Sequence, residues 1–351
     1  MKIFYGIQGT GNGHITRGRV MAKELQAAGI NVTYLFTGRP QDKFFEMEVF
    51  NGYQWHEGLT FNTKNGKVNY IKSVFQTRPI RFWKDIKQLD LSRYDLVISD
   101  FEPVTAWAAR RQNKKIIGIG HQYAFQYDIP RAGNDPLAEV VMKNFAPADV
   151  GIGIHWHHFN QPILPPIIET PVFPQSVQHN KIIVYLPFEN PYGVIEHLAP
   201  FIDFEFFVYS PDVVQSPYAH IHCKPLSRQG FQQDLYDCVG IISNAGFELA
   251  SESLQLGKKI LVKPLHAQME QISNALALRE LGYGHTMHNM KAAVIEKWLY
   301  ETKAVRITYP NIANYLVKWI MNGMPPIDQA WCDQIWAEVK VLPVDLLQNG
   351  K

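Results

Sequence analysis

The stretch from Val239 to Gly282 leaves the chain few choices of fold. Val239-Gly240-Ile241-Ile242 is a short apolar run of the length a buried parallel strand prefers. Ser243-Asn244-Ala245-Gly246 then turns the chain on small residues. Phe247, Ala250 and Leu254 recur at helical spacing, and Gly257 stands where a left-handed residue would close that helix. Ile260-Leu261-Val262 reads as the next strand and Pro264 stops it. A second helix follows from about Gln271 and ends at Gly282. Strand, small-residue turn, helix, strand, loop, helix is the order of a doubly wound α/β unit, whose ligand groups gather at the strand carboxyl ends.

A small-residue turn feeding a helix N-terminus presents free N–H groups and a positive dipole end, which suits a diphosphate. Glu248 and Glu252 are four apart and share one helix face, so Glu252 can accept from vicinal ribose hydroxyls. Glu270, Gln271 and Asn274 cluster at the mouth of the next helix and offer hydrogen bonds to a sugar ring. The full pattern is Ser243-x-x-Gly246, Glu252, Gly257, Pro264, then Glu270-Gln271-x-x-Asn274-Ala275 and Leu281-Gly282. It resembles the donor half of GT-B glycosyltransferases, notably the lipid-linked N-acetylglucosaminyltransferases of peptidoglycan synthesis and the UDP-glycosyltransferases. The resemblance implies two Rossmann-like domains facing across a cleft. It puts Gly246, in the turn with Ser243 and Asn244, at the donor diphosphate and Glu252 at the ribose. Glu270 and Gln271, with Asn274 nearby, fall at the donor sugar, and the backbone of residues 227–231 at a uracil.

The first residues repeat the architecture. Residues 2–7 read as a strand, and Gly9-Thr10-Gly11-Asn12-Gly13-His14 as the turn after it. Ile15, Val20, Met21, Leu25 and Ala28 lie along a helix closed by Gly29, and Asn31 to Phe36 is the second strand. The turn fails as a dinucleotide fingerprint, because the third glycine of GxGxxG is missing and no acid ends the second strand. Nor does Gly-Lys-Ser/Thr occur there, so a Walker loop is excluded. What remains is Gly11-x-Gly13-His14-x-x-Arg17. A histidine at a strand-to-helix turn lines the cleft and titrates near neutral pH. In the families resembled, this turn faces the acceptor and its histidine is often the base. That role passes to His14, with Gly11, Asn12 and Gly13 on the acceptor side and Arg17 a weaker acceptor or phosphate contact. The strand Tyr94 to Asp100 ends in a carboxylate that fits both a helix N-cap and a partner for His14. Asp100, Glu102 and His121, the last after the strand Lys115 to Gly120, complete the expected acceptor pocket.

Several function classes drop out. The balance of 34 Lys and Arg to 32 Asp and Glu does not suit a general nucleic-acid binder. The three cysteines are scattered and form neither a disulfide framework nor a metal pair. In His155-Trp156-His157-His158 only His155 and His157 would share a face, and no fourth ligand is evident, so no metal site is expected. No Asp-x-Asp pair occurs, which argues against a metal-dependent GT-A mechanism. From Lys64 to Arg93 eight Lys or Arg mix with Tyr70, Phe75, Phe82 and Trp83. This segment reads first as a solvated amphipathic helix interrupted at Pro79, and second as a surface for an anionic membrane. No apolar run reaches transmembrane length, and Lys2 to Ile7 is too short for a signal peptide's core. The expected location is cytoplasmic, with peripheral contact at the inner membrane face as the alternative.

The expected organisation is a 1–160 acceptor-binding domain, a 161–178 proline-rich linker, a 179–310 nucleotide-sugar domain, and 311–351 packing back towards the first. The expected activity is inverting, metal-independent transfer from a nucleotide sugar, most simply UDP-linked, to a glycan or lipid-linked hydroxyl in cell-envelope polysaccharide assembly. No cofactor is expected beyond the nucleotide-sugar co-substrate. The alternatives are a UDP-sugar hydrolase, since Gly11 to Arg17 also resembles the hydrolase of pseudaminic acid synthesis, and a non-catalytic nucleotide-sugar-binding protein. An epimerase of the same fold lacks its acidic cluster here.

Overall fold

The computed structural model describes residues 1–59, 63–64, 67–68, 79–132, 136–169 and 177–344. Two six-stranded parallel sheets carry the fold. The first contains β1 (Lys2–Gln8), β2 (Asn31–Thr37) and β3 (Gln54–Trp55). After a short hairpin of β4 (Thr63–Lys64) and β5 (Lys67–Val68), it adds β6 (Leu96–Asp100), β7 (Ile116–Gly120) and β8 (Val150–Gly153). Its order is β3-β2-β1-β6-β7-β8. The second contains β9 (Lys181–Tyr185), β10 (Glu205–Tyr209), β11 (Ile221–Lys224), β12 (Gly240–Ser243), β13 (Lys259–Val262) and β14 (His285–Thr286), in the order β11-β10-β9-β12-β13-β14. The two sheets share one topology. In each, the strand order reverses once, between β1 and β6 and between β9 and β12.

Strands covered on both faces carry apolar side chains on both, and the central strands β1 and β9 do. On β1, Ile3, Tyr5 and Ile7 face one core while Phe4 faces another. On β9, Ile183 faces the first of these cores while Ile182 and Val184 face a third. The cluster holding Ile3 and Ile183 is continuous: it runs from the first sheet through Trp156 and Phe247 to the second. The two halves therefore share one apolar core.

The chain closes with the antiparallel pair β15 (Ala304–Thr308) and β16 (Lys340–Val344), around the helices Ile312–Met321 and Gln329–Trp336. Neither strand stands out in the sequence. Asn311 and Asn314 donate to Glu24 of the first helix at 2.8 and 2.9 Å. The basic, aromatic segment is a helix over Pro79–Gln88, with proline at its favoured first position and Ile80 and Trp83 exposed. Tyr70, Ile71, Val74 and Phe75 lie outside the described residues. Among the described residues, no helix is long and apolar enough to cross a membrane.

Candidate active site

The first helix, Asn12–Ala27, leaves β1 through the glycine turn, with Gly11 as its N-cap. Asp100 ends the neighbouring strand β6. The helix after β6 is capped not by Asp100 but by Glu102. The Glu102 carboxylate accepts from Val104 N and Thr105 N at 2.7 and 2.6 Å, and from Thr37 Oγ1 at 2.9 Å. Phe101, with φ of 50°, moves the helix start two residues on. Glu102 therefore points into the interior, where burial raises its pKa against the pull of these hydrogen bonds.

Released from capping, Asp100 meets His14 instead. His14 Nδ1 lies 2.6 Å from Asp100 Oδ1, with Asp100 fully buried and the imidazole 15% exposed. Burial opposes ionisation of Asp100, but the charge of Arg17 and the contact with His14 outweigh it and hold the carboxyl below its usual range. An ionised carboxylate only accepts, so the contact with Asp100 calls for the proton on His14 Nδ1; Arg17 Nη2, a donor, lies 2.9 Å from the same nitrogen.

Arg17, three residues along the same helix face, is buried rather than turned to a ligand. Its Nε donates to Asp100 Oδ2 at 2.7 Å and its Nη2 to Asp100 Oδ1 at 2.5 Å. Its Nη1 donates to Glu248 Oε1, on the far half. The other oxygen of Glu248 is buried without a hydrogen-bond partner. Burial pushes the Glu248 carboxyl up to about 7, against the pull of Arg17. Glu252, one turn on, rises to about 8 through burial and then the charges of Glu248 and Glu169.

Glu248 belongs to the helix Phe247–Leu256, which follows β12 through Ser243-Asn244-Ala245-Gly246. Gly246 caps it without a side-chain hydrogen bond. The turn is tied from within. Ser243 Oγ donates to Asn244 O at 3.0 Å, and Asn244 Nδ2 to Lys263 O at 2.9 Å. The side chains of Ser243 and Asn244 thus hold the turn's shape, and its backbone is tied as well: Asn244 N donates to Tyr185 O at 3.3 Å and Gly246 N to Asn244 O at 2.8 Å. The two glycine turns lie against each other: a Cβ on Gly13 would sit 2.7 Å from Glu248 Cγ.

Two residues read from the sequence as ligands on opposite sides meet directly. His121 Nε2 lies 2.7 Å from Asn274 Oδ1, and Asn274 Nδ2 donates to Ala245 O at 3.0 Å. Both are buried, and the His121 ring stacks on Phe247 with centroids 4.0 Å apart and planes 6° from parallel. Gln122 Nε2 donates to Glu270 Oε1 at 3.2 Å, and Gln271 Oε1 accepts from Leu265 N at 3.0 Å. Glu270 remains partly exposed. His155 is buried among aromatic rings, and Trp156 Nε1 donates to Ser251 Oγ at 2.8 Å. Among the described residues no three His, Cys, Asp or Glu side chains are placed to hold a metal.

The reach of Arg17 to both carboxylates and the Phe247 stack escape a reading of the sequence. Only the i, i+3 spacing of His14 and Arg17 hints at the first.

Comparison with known proteins agrees over most of the chain. The family model described as glycosyl transferase family 1 matches residues 1–303. An uncharacterized glycosyltransferase of Methanosarcina acetivorans is 27% identical over 147 residues, 41% of this chain and 37% of that protein, so the match spans well under half of the relative's length. The glycosyltransferase SnogD from Streptomyces nogalater superposes with a TM-score of 0.55 at 15% identity, covering 96% of this chain and 99% of that one. The glycotransferase of kitacinnamycin gives 0.58 at 13% identity, covering 97% and 99%. MurG of Acinetobacter baumannii gives 0.51 at 16%, covering 96% and 99%. At these identities the solved structures speak for the fold, which is GT-B.

Proposed function

This chain belongs to glycosyl transferase family 1 and is a glycosyltransferase, and from that premise we propose that it transfers a sugar, with inversion and without a metal, from a UDP-sugar to a hydroxyl of a glycan or lipid-linked acceptor. The observation that carries this reading is the His14–Asp100 pair held against the N-terminus of the helix Phe247–Leu256, which no side chain caps.

The chemistry follows from that placement. His14 Nε2 takes the acceptor hydroxyl's proton as its oxygen bonds to the anomeric carbon. The bond from that carbon to the diphosphate oxygen breaks, and its electron pair leaves with the nucleotide. Asp100 fixes the imidazole tautomer and stabilises the imidazolium that forms. The N–H groups of the helix's first turn, after Gly246, would face the growing charge on the leaving diphosphate. Attack from the face opposite the leaving group inverts the carbon. With a fixed dipole at the leaving group and no Asp-x-Asp pair in the chain, the reading assigns no step to a metal.

Residues 1–160 would carry the acceptor, through Gly11, Asn12, Gly13 and His14. Residues 179–310 would carry the donor, with the ribose at Glu252 and the sugar at Glu270 and Gln271. The linker 161–178 and the segment 311–351 would join them. Cell-envelope polysaccharide assembly on the cytoplasmic side of the membrane is the setting that goes with a lipid-linked acceptor.

The test is nucleotide release from a panel of UDP-sugars, without and with a lipid or glycan extract. Release that depends on the extract is expected. Complete release into water alone, unchanged by extract, would replace the transferase with a hydrolase.

A further inference from the structure

The second sheet reverses its strand order between β9 and β12, where an open α/β sheet leaves a crevice at its carboxyl edge. Glu189 lies in the loop after β9, Asn244 after β12 and Lys263 after β13. Lys263 Nζ donates to Glu189 Oε1 at 2.5 Å. The lysine is nearly buried, with a side chain 6% exposed against 20% for its partner. Because β12 lies between β9 and β13, this ion pair passes across the end of β12. The turn to Gly246 starts from that same end.

Lys263 is also locked to the turn through its backbone. Its N–H donates to Ser243 O at 2.8 Å, and its carbonyl accepts from Asn244 Nδ2 at 2.9 Å. Asn244 Oδ1, in the same crevice, is buried without a hydrogen-bond partner. A nearly buried ammonium–carboxylate pair gains little net stability, because desolvating both charges offsets most of their attraction. Its position has a better use. The cation stands on a rigid strand end, whereas its counterion stands on a loop and is the more exposed of the two, so the pair can open without moving the sheet.

We propose that Lys263 is a second ligand of the donor diphosphate, with Glu189 as its counterion while the donor is absent. On binding, the ammonium leaves Glu189 for the phosphate that carries the sugar. It stays there as the bond from the anomeric carbon to the phosphate oxygen breaks and the electron pair settles on that oxygen. Lys263 adds a full positive charge where the helix end supplies a partial one, and no proton need pass from it. The inference rests on the nucleotide-sugar reading above.

Titration calorimetry of the intact protein with UDP and with uridine tests it. Lys263→Met should weaken UDP binding about tenfold to a hundredfold, as loss of a charge-assisted hydrogen bond does. Uridine, which has no phosphate, should bind as before, and Lys263→Arg should restore most of the UDP affinity. Glu189→Gln removes the competing carboxylate and should tighten UDP binding several-fold. Thermal melts of each variant identify any that fail to fold. If the pair merely tethers the loop, both substitutions will weaken UDP and uridine alike, and the proposal falls. Unchanged UDP affinity in Lys263→Met also overturns it, while leaving the donor reading intact. A wild-type protein that binds none of UDP, dTDP or GDP would overturn the donor reading itself.

Discussion

Arg17 and Glu248 form an ion pair between the two halves of the molecule, with Arg17 2% and Glu248 8% exposed at the side chain. Arg17 also holds Asp100, so the histidine-bearing turn and the turn at Gly246 are fixed by one guanidinium. Removing it would leave two buried carboxylates without their cation, which costs about 3–5 kcal/mol. Arg17→Met should lower the denaturant midpoint accordingly.

The same pair makes stability depend on pH. Glu248 has a folded pKa of about 7, raised from an ordinary 4.5 chiefly by burial. A carboxyl raised on folding stabilises fully below its unfolded pKa, and that contribution is lost as pH rises through the folded value. Between pH 4.5 and 7 the wild type should therefore lose stability relative to Glu248→Gln. Buried His121 and His155, whose pKa values burial lowers, act in the opposite sense but are present in both proteins. Melting temperatures of the pair at pH 5 and 8 measure the difference. A gap that does not change with pH would refute the role of Glu248.

Asp100→Asn tests the dyad. An amide can donate to Nδ1 and so favour the wrong tautomer, leaving Nε2 protonated. Turnover with a productive donor and acceptor should fall about 10²–10⁴-fold, the scale of general-base catalysis. UDP affinity should stay within a few-fold of wild type. Wild-type turnover would remove His14 and Asp100 from the mechanism.

Much of this was legible in the sequence because its signals are local. Apolar runs such as Ile241-Ile242 and Ile260-Leu261-Val262, each followed by a turn, mark buried parallel strands wherever they pack. The small-residue turns at Gly11 and Gly246 mark the functional edge for the same reason. Asp100 and Glu102 show where local reasoning stops. Either could cap the next helix by composition, and only the left-handed backbone at Phe101 decides between them. His121 and Asn274 show the same limit at long range: each lies beside a strand end that suggests a ligand, yet they pair across 153 residues. A two-residue strand such as β3 carries too little pattern to read, whereas β14 falls within the short strand expected over residues 283–287.

The Phe247 stack gives a fourth prediction. Its ring lies flat on His121 and 5.0 Å from Trp156, all three in the interior shared by the halves. Phe247→Ala should cost about 3–5 kcal/mol in chemical denaturation, the range for deleting a buried aromatic. Phe247→Leu keeps much of the volume and should cost well under half as much. Equal losses would mean that filling the space is not what the ring contributes.

Gly13 separates steric fit from backbone freedom. It carries no positive φ, so an alanine there is not strained by its own backbone. Its Cβ would nevertheless sit 2.7 Å from Glu248 Cγ, an atom that cannot swing away because Arg17 holds the carboxylate beyond it. Gly13→Ala must therefore push the two turns apart, at a cost of about 1–3 kcal/mol for an overpacked contact. Gly11 is the control. An added Cβ there meets nothing within 4 Å, so alanine loses only the N-cap preference for glycine, about 1 kcal/mol, with no steric clash. Turnover should fall sharply in Gly13→Ala and little in Gly11→Ala. Shortening the opposing side chain, Glu248→Ala, should restore part of the stability that Gly13→Ala loses. Additive losses in the double variant would show that the two turns do not touch in solution as they do here.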